Sequence, residues 1–190
     1  MTFCKKIFII GAGGHGKSIS SFFLNKKEKI FYIDKKNYKD LKNYYGNDNF
    51  FIQKTKKNNK PNLYIGIGYP NKLRKKIFLK YKSNNFNFKT FVHESCTISK
   101  NVIIGEGSIV FPNVVIGNNV KIGANTIIYS NATIEHDTQI GNHCYISPSV
   151  TICGNVKIGN EVFFGAGACV LENASIKSNK FIKAQSLLKK

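Results

Sequence analysis

The segment Glu135-His136-Asp137 places a histidine between two carboxylates, and it is the strongest candidate for chemistry in this sequence. A carboxylate beside an imidazole can hold the ring in one tautomer and make it more basic, which suits the histidine to remove a proton from an amine or a hydroxyl. The alternative is a surface histidine among solvated charges, the type to which His93 and His143 conform. No serine or cysteine stands in a nucleophile-elbow context, so covalent catalysis is not indicated.

A glycine-rich turn near the N-terminus is the second candidate site. An apolar run of strand type, residues 5–10, is followed at once by Gly11-Ala12-Gly13-Gly14-His15-Gly16 and then by a helical-looking segment through residue 25. In this context the glycines let the backbone approach a phosphate at a helix N-terminus. The glycines could instead serve only a tight turn, but a turn does not need the bulky imidazole of His15, which could contact a ligand.

An acidic residue after the next predicted strand adds to the evidence for a nucleotide-binding site. A strand over residues 29–33 ends in Asp34, eighteen residues beyond Gly16, where a Rossmann unit places a ribose-binding acid. A dinucleotide spans two mononucleotide-binding halves, and the chain has room for only one before the pattern changes. One nucleotide therefore fits better than NAD.

The elements that must position these residues form a small α/β unit of about three parallel strands. The third strand, over residues 62–67, closes on Gly68 and leads into a helix over residues 71–82. The Lys/Asn-rich residues 54–59 predict a solvated loop, and residues 83–89 predict a linker.

From Ser95 onward the sequence repeats in blocks of six. The fourth place of every block is apolar, from Ile98 to Leu188, and a small residue mostly stands two places before it. This spacing fits neither an amphipathic helix nor a lone alternating strand. It predicts a hexapeptide-repeat parallel β-helix in which three hexads make one coil and residues eighteen apart stack one rung above another.

The hexads also locate the candidate histidine. Corner positions are usually Gly-Asn, Gly-Glu or Gly-Ala, but the successive blocks NTIIYS and NATIEH depart from this. In the second block Glu135 and His136 stand at a corner, and Asp137 opens the next strand. The corner one rung above His136 is Gly154, which leaves a groove without a side chain. We therefore favour His136 as a general base over the surface alternative.

The net charge of +19 raises the question of nucleic-acid binding. The basic residues are lysines apart from Arg74, and they are scattered through a chain that is also rich in Asn and Ile. This is a compositional drift rather than a binding groove, so no nucleic-acid partner is expected. A basic surface favours anionic small substrates such as nucleotides and coenzyme A by long-range steering.

The cysteine spacing and the lengths of the apolar runs indicate the cellular compartment of the protein. Cys4, Cys96, Cys144, Cys153 and Cys169 form no C-x-x-C pair, so reduced packing thiols are expected rather than a disulfide framework or a metal site. No run of eighteen apolar residues is present, and the N-terminus lacks a signal-peptide pattern. The sequence predicts a soluble, cytoplasmic protein without membrane insertion.

Taken together, the motifs resemble those of a known family. The GAGGHG turn, the LYIGIG strand with the segment from Asn71 to Ile77, the EHD corner, and the GNVKIG and FFGAGACVL blocks resemble the NeuD/PglD-type sugar O- and N-acyltransferases over essentially the whole chain. The resemblance implies an α/β Rossmann-like nucleotide-sugar-binding domain over residues 1–90, followed by a left-handed parallel β-helix over residues 91–190 that binds acetyl-CoA. It also implies a homotrimer with acetyl-CoA lying along the helix between subunits.

The resemblance further implies roles for individual residues. The histidine that matches His136 is the general base, and the acid after it, here Asp137, raises its basicity. Gly154 and Ala166 match positions near the thioester and the pantetheine, which makes the Gly154 N–H a candidate oxyanion donor. The positions that match nucleotide-sugar contacts are Gly13, Gly14, His15, Asp34, Lys35 and Gly68.

Two departures from the family pattern stand out. The family commonly has a second histidine that contacts acetyl-CoA, and Tyr145 takes that place here, where its hydroxyl could donate a hydrogen bond. The family also usually ends in a loop of V-x-G-x-P-A-K type that helps cover the coenzyme, whereas this sequence stops in Lys189-Lys190.

The leading prediction is therefore an acetyl-CoA-dependent N-acetyltransferase, without a metal, that acts on a nucleotide-linked amino sugar of the UDP-4-amino-4,6-dideoxyhexose type in bacterial surface glycan synthesis. One alternative is O-acetylation of a sialic-acid-like sugar by the same machinery. The other is a catalytically impaired trimer that binds nucleotide sugars.

Overall fold

The structure is a computed structural model that describes residues 6–23, 28–36, 41, 43–55, 61–69 and 71–189. The chain divides into two compact units, Met1–Lys89 and Thr90–Lys190. The predicted division, after residue 90, lies one residue later.

The N-terminal unit alternates strands and helices. Its elements are β1 (Lys6–Ile10), α1 (Gly14–Ser21), β2 (Lys29–Ile33), β3 (Tyr44–Gly46), α2 (Asp48–Lys54), β4 (Asn62–Ile65) and α3 (Asn71–Ser83). Within its described residues the strands form one parallel sheet in the order β3-β2-β1-β4. The carboxyl ends of these strands consequently lie at one edge of the sheet.

The predicted α/β unit is confirmed, with two additions. The sequence indicated about three strands, and the sheet has a fourth, the short edge strand β3. The helix α2 was also missed, although Asn47 begins it by accepting a hydrogen bond from the Phe50 N–H at 3.0 Å. Lys54, predicted to open a loop, is the last residue of α2. Thr55 is the C-cap of α2, and the remaining residues of that loop, 56–59, lie outside the described residues, as do residues 5 and 25.

The helix α1 ends earlier than the sequence indicated. The N–H groups of Phe22 and Phe23 bond the carbonyls of Ile19 and Ser20, three residues back, at 3.2 and 3.0 Å, which tightens and closes the last turn. The predicted linker over residues 83–89 also differs from expectation. Its Phe86 and Phe88 are buried, because they pack against aromatic rings of α2 and α3.

The C-terminal unit is a parallel β-solenoid, described without a gap from Thr90 to Lys189. Face 1 contains β5 (Phe91–Val92), β8 (Ile109–Val110), β11 (Ile127–Ile128), β14 (Tyr145–Ile146), β17 (Phe163–Phe164) and β20 (Phe181–Ile182). Face 2 contains β6 (Thr97–Ile98), β9 (Val115–Ile116), β12 (Thr133–Ile134), β15 (Thr151–Ile152), β18 (Cys169–Val170) and β21 (Leu187–Leu188). Face 3 contains β7 (Ile103–Ile104), β10 (Lys121–Ile122), β13 (Gln139–Ile140), β16 (Lys157–Ile158) and β19 (Ser175–Ile176).

The hexad register is confirmed throughout this solenoid. Strands pair in parallel with residues eighteen apart, as in Ile128↔Ile146 and Ile134↔Ile152. The fourth places of the central hexads point inward and are buried, whereas Ile98 in the first coil is 38% exposed. Burial of this inner column of apolar side chains between neighbouring rungs stabilises the solenoid.

The corners differ in detail from the sequence interpretation. The first residue of every hexad from Asn101 to Gln185 has a φ between 55° and 72°, and most are Asn, whose short side chain tolerates the left-handed region. Asp137 has a φ of 60° and is therefore a corner residue rather than the start of a strand, because β13 begins at Gln139. The glycines before the corners serve close stacking instead: a Cβ on Gly141 would lie 2.6 Å from the Gly159 carbonyl carbon.

Two further expectations concern cysteines and membranes. Four cysteines lie in the described ranges, all of them free thiols, and Cys144 is buried inside the solenoid. Cys4 lies outside those ranges. Among the described helices, none combines the length and the apolar character that a membrane span requires.

Candidate active site

One corner of the solenoid carries the candidate base. It connects face 2 to face 3, and we call it the His136 corner; its rungs are Lys100–Asn101, Asn118–Asn119, His136–Asp137, Gly154–Asn155 and Glu172–Asn173. The corner N–H of each rung bonds a carbonyl of the rung below, as Asn155 N–H does to the His136 carbonyl at 2.9 Å. The backbone that carries the candidate residues is thereby fixed rung by rung.

His136 and Asp137 form a hydrogen-bonded pair. The distance from His136 Nδ1 to Asp137 Oδ2 is 2.9 Å. A carboxylate only accepts hydrogen bonds, so the ring carries its proton on Nδ1, and Nε2 of the neutral imidazole is free to take a proton. The hydrogen bond from His136, followed by one from Asn119, holds the pKa of Asp137 below its ordinary value, which keeps the carboxylate charged.

Gly154 lies against the ring of His136. A Cβ built on Gly154 would be 2.8 Å from both Cε1 and Nε2 of the imidazole. The Cε1–Nε2 edge of the ring therefore occupies the space that a side chain on Gly154 would take. The predicted stacking of Gly154 one rung from His136 is confirmed, and the glycine is needed there because any side chain would displace the ring.

The backbone N–H of Gly154 is available as a donor. At the next corner, between faces 3 and 1, the equivalent N–H groups are bonded by a side chain one rung above: Asn142 Oδ1 accepts from Ala124 N–H at 2.7 Å, and Asn160 Oδ1 from Asn142 N–H at 2.8 Å. Across the described part of the chain, no hydrogen bond uses the Gly154 N–H in this way. A donor in this position can stabilise a developing oxyanion.

An open groove begins beside Gly154. It has a volume of about 450 Å³ and is lined by Cys153, Leu171, Glu172 and Asn173. The His136–Asp137 pair, one rung below Gly154, is exposed in the single chain, with His136 63% and Asp137 51% accessible. The imidazole of His136 is thus reachable from solvent along the corner, whereas Gly154 itself is buried.

The other two histidines of the solenoid have structural partners. His93 Nδ1 lies 2.8 Å from Ser95 Oγ, and His143 Nδ1 lies 2.8 Å from Asn125 Nδ2 at the corner between faces 3 and 1. His143 is itself a left-handed corner residue with a φ of 58°. These contacts give both histidines a structural role, so a catalytic role is not needed to explain them.

Two predicted acetyl-CoA residues lie elsewhere on the same solenoid. Tyr145 is on face 1, opposite the His136 corner, and its ring stacks on Phe163 with centroids 5.0 Å apart. Ala166 is at the corner between faces 1 and 2, where its carbonyl accepts the Gln185 N–H at 2.9 Å. A single chain therefore does not bring Tyr145 or Ala166 to His136.

In the N-terminal unit, the predicted substrate residues gather at one sheet edge. Gly13 caps α1 and Gly14 begins it, directly after β1. Asp34 and Lys35 follow β2, and Gly68 follows β4. The parallel register of these strands brings the three segments to the same edge.

The glycines of the turn fall into two groups. Gly11 has a φ of 101°, and a Cβ on Gly16 would lie 2.0 Å from the Gly11 carbonyl oxygen, so both are required by the fold itself. In contrast, a Cβ on Gly13 or Gly14 would meet nothing within 4 Å. Packing of the chain does not explain these two glycines, whereas close approach of a ligand at the start of α1 would.

Asp34 has a structural role that the sequence did not reveal. Its Oδ2 accepts the Ala12 N–H at 2.8 Å, and its Oδ1 accepts the Lys36 N–H at 3.0 Å. The carboxylate thus holds the glycine-rich turn in place. A ribose hydroxyl would have to share these oxygens.

His15 and Arg74 are the inner residues at this edge of the sheet. Burial, and then the positive charge of Arg74, lower the pKa of His15 to about 3, so its imidazole is neutral at physiological pH. Arg74 on α3 is buried and donates from Nη1 to the carbonyls of Ile65 and Ile67 at 2.6 and 2.9 Å. The sequence motifs assign Arg74 no role, although it is the one arginine among 29 basic residues, which is a signal in the sequence.

No cluster of three or more His, Cys, Asp or Glu side chains suited to a metal ion occurs in the described ranges. The chemistry that the His136 corner supports is proton transfer by an imidazole next to a backbone oxyanion donor.

Comparison with known proteins agrees with this architecture. The PglD N-terminal domain family matches residues 6–81. The bacterial transferase hexapeptide (six repeats) family matches residues 101–136 and 137–172.

Solved structures extend the similarity to the whole chain. The acetyltransferase domain of PglB from Neisseria gonorrhoeae FA1090 is 25% identical with a TM-score of 0.88, over 97% of this chain and 91% of that one. PerB from Caulobacter crescentus, in complex with CoA and GDP-perosamine, is 26% identical with a TM-score of 0.88, over 100% and 90%. WeeI from Acinetobacter baumannii AYE shares the fold at 22% identity and a TM-score of 0.72, over 96% of each chain. The chain thus joins a PglD N-terminal domain to bacterial transferase hexapeptide repeats, and over nearly its whole length it has the fold of the PglB acetyltransferase domain and of PerB.

Proposed function

We propose that this protein is an acetyl-CoA-dependent N-acetyltransferase that acylates the amine of a nucleotide-linked amino sugar during bacterial surface glycan synthesis. The observation that carries the proposal is the His136–Asp137 pair stacked against Gly154. The similarity to PerB, which was crystallised with CoA and GDP-perosamine, supports the choice of co-substrate and of substrate class.

His136 is the proton carrier of the proposed reaction. The sugar amine attacks the thioester carbonyl, so a nitrogen–carbon bond forms and the carbonyl oxygen becomes an oxyanion. His136 Nε2 takes a proton from the nitrogen, while Asp137 accepts from Nδ1–H and stabilises the imidazolium. Collapse of the intermediate breaks the carbon–sulfur bond, and the thiolate of coenzyme A receives the proton. The histidine is then neutral again.

The Gly154 N–H is the proposed donor to the oxyanion. The His136 ring lies against Gly154, so the proposed base and the proposed donor are neighbours at this corner. An oxyanion donor of this kind contributes about 3 kcal/mol of transition-state stabilisation in other enzymes. The groove beside Gly154 offers the thioester an approach.

The N-terminal sheet edge is the proposed binding region for the nucleotide-linked sugar. Gly13 and Gly14 leave the start of α1 open to a phosphate, and the neutral imidazole of His15 suits a hydrogen bond to an uncharged polar group. Lys35 supplies a positive charge at the same edge. Gly68 follows β4 at the same edge.

We propose a homotrimer because one chain leaves the acetyl-CoA site incomplete. The His136–Asp137 pair is exposed, and Tyr145 and Ala166 lie on another face and another corner of the solenoid. A second copy would have to supply these two residues beside the first copy's His136. Sedimentation equilibrium is expected to give a trimer mass, and a monomer at micromolar concentration would contradict this part.

The proposed compartment is the cytoplasm. Cys96, Cys144, Cys153 and Cys169 are free thiols, the state that a reducing compartment preserves. The net charge of +19 favours encounter with anionic co-substrates.

The decisive experiment mixes the protein with acetyl-CoA and a panel of nucleotide-linked sugars and measures release of the free CoA thiol. UDP- and GDP-linked 4-amino-4,6-dideoxyhexoses are the expected substrates, and the product should carry one acetyl group in an amide that resists hydroxylamine. The same sugars without the amine serve as controls.

Other results would point to the alternatives. Thiol release only with a sialic-acid-like sugar, giving a hydroxylamine-labile ester, would replace N- by O-acetylation. Nucleotide-sugar binding by calorimetry without thiol release from any amino or hydroxy sugar would favour a binding role without catalysis.

A further inference from the structure

A column of asparagines runs along the His136 corner and contains one carboxylate. We call it the asparagine column; its members are Asn101, Asn119, Asp137, Asn155 and Asn173. All five have a φ between 55° and 60°, so their side chains repeat at each rung. The column therefore forms a ladder of side-chain hydrogen bonds parallel to the solenoid axis.

The ladder breaks at Asp137. Below it, Asn101 Nδ2 donates to Asn119 Oδ1 at 3.3 Å, and Asn119 Nδ2 donates to Asp137 Oδ1 at 3.1 Å. Above it, Asn155 Nδ2 donates to Asn173 Oδ1 at 2.7 Å. A carboxylate has no N–H to pass upward, so Asp137 ends the lower series and receives two donors, Asn119 and His136.

The two oxygens of Asp137 are thus used by different partners. Oδ1 is bonded to Asn119 and Oδ2 to His136, which together set the rotation of the carboxylate plane. Asp137 is 51% exposed, so little else restrains it. Without the bond to Asn119, the carboxylate could turn away and release Nδ1–H of the ring.

We propose that Asn119 is a positioning residue: its amide orients Asp137 so that His136 keeps its proton on Nδ1 and presents a bare Nε2. This inference rests on the proposed function for its kinetic consequence, but the state of the ring can be measured without turnover. Asn101 supports Asn119 one rung further away, so its influence is expected to be smaller.

The other titratable groups near this corner do not replace Asn119. On the same corner Lys100 and Glu172 stand two rungs below and above His136, and Glu135 is its neighbour in the chain. Cys153, next to Gly154, interacts with Glu172 and Glu135 as well as with Cys169. In the described chain, Asn119 and His136 are the side chains that bond Asp137.

The test removes the Asn119 amide without straining the corner. Asn119→Gly keeps a residue that tolerates positive φ, and Asn131→Gly is the matched control, since Asn131 has a φ of 62° at another corner. Histidine-selective nitrogen NMR reads the tautomer of His136, assigned by its loss in His136→Gln. We expect Asn119→Gly to move part of the population from Nδ1–H to Nε2–H, with no such change in Asn131→Gly.

The kinetic expectation is a fall in kcat of about three- to tenfold in Asn119→Gly, the worth of about one ordinary hydrogen bond, with KM values nearly unchanged. Asn101→Gly should lower kcat by less than about twofold because it acts only through Asn119. Asn119→Asp keeps the shape but cannot donate when ionised, so it should also lower kcat, and it serves if the glycine variant does not fold.

The outcomes separate the two proposals. An unchanged tautomer population in Asn119→Gly and Asn119→Asp, relative to Asn131→Gly, would overturn the role of Asn119 even if the wild-type protein transfers acetyl groups. A changed tautomer in a protein that acylates no sugar would support Asn119 as the residue that orients Asp137 and refute the proposed function alone.

Discussion

The imidazole of His136 covers the α-carbon of Gly154 one rung above it, so closely that a methyl group on Gly154 would lie 2.8 Å from the ring atoms Cε1 and Nε2. The proposed base and the proposed oxyanion donor are therefore held together by the absence of a side chain on Gly154 and by the rung spacing of the solenoid.

Gly154→Ala should displace the His136 ring and lower kcat by at least about tenfold while the protein stays folded, because the exposed ring can swing into solvent. Steady-state kinetics and thermal unfolding measure the two effects. The matched comparison is His136→Ala with and without Gly154→Ala. If the methyl group lowers the residual rate of the His136→Ala protein as much as it lowers the wild-type rate, displacement of the ring is the wrong explanation.

His136→Ala should lower kcat by at least about a hundredfold, the usual contribution of a general base, without loss of stability. His143→Asn is the control, because asparagine is the common residue at such corners and its Oδ1 can still accept from Asn125 Nδ2. Thiol-release kinetics on both variants decide the assignment. Full activity in His136→Ala would exclude this residue as the base.

His15 should make the folded state sensitive to mild acid. Its pKa is about 3 in the folded protein, because of burial and Arg74, and about 6.5 when unfolded, so between these values the unfolded chain binds one more proton. Stability contributed by the neutral imidazole is complete above about pH 6.5 and is lost as the pH falls toward 3. From pH 7 to pH 5 the loss should be about 2 kcal/mol.

Urea unfolding of the wild type and of His15→Gln at pH 7 and pH 5 measures this contribution. The wild type should lose about 2 kcal/mol more than the variant over this interval. His93→Gln, which alters a histidine bonded to Ser95 on the solenoid, should behave as the wild type does. Equal losses in wild type and His15→Gln would contradict the buried neutral state.

Asp34→Ala should loosen the glycine-rich turn, because the carboxylate bonds the N–H groups of Ala12 and Lys36. We expect the free energy of unfolding to fall by about 1 to 3 kcal/mol and nucleotide-sugar affinity to fall with it. Calorimetric titration and urea unfolding measure both. Lys35→Ala is the control for stability, and a loss of affinity in Asp34→Ala without any loss of stability would indicate direct ligand contact instead.

Ile146→Ala tests the inner column of the solenoid. Ile146 is fully buried, so a cavity should cost about 2 to 5 kcal/mol. Ile103→Ala removes the same atoms from a side chain that is 59% exposed and should change stability by about 0.5 kcal/mol or less. Chemical unfolding followed by circular dichroism compares them, and equal costs would mean that the inner column does not carry the stability.

Most of the fold could be predicted from local patterns. The apolar residue at every sixth position fits an arrangement in which it turns inward at each rung, and the pairing of residues eighteen apart follows from three hexads per coil. The strand β3 and the helix α2 were missed because each is short: β3 has three residues at a sheet edge, and α2 has seven residues with its cap at Asn47. Their stability comes from packing, such as that of Tyr45 and Phe51 on Phe8, rather than from a long periodic signal.

The candidate site, too, has features that the sequence determines and features that only the tertiary structure decides. The sequence contains the segment Glu135-His136-Asp137 and places Gly154 eighteen residues after His136. Because a regular repeat converts separation along the chain into stacking in space, the sequence alone predicts that these two residues stack. The bond from Asn119 to Asp137 and the use of Asp34 to hold the turn depend on side-chain rotamers. Only the tertiary structure decides these, because a hydrogen bond depends on the direction of two side chains, and residue order does not specify that direction.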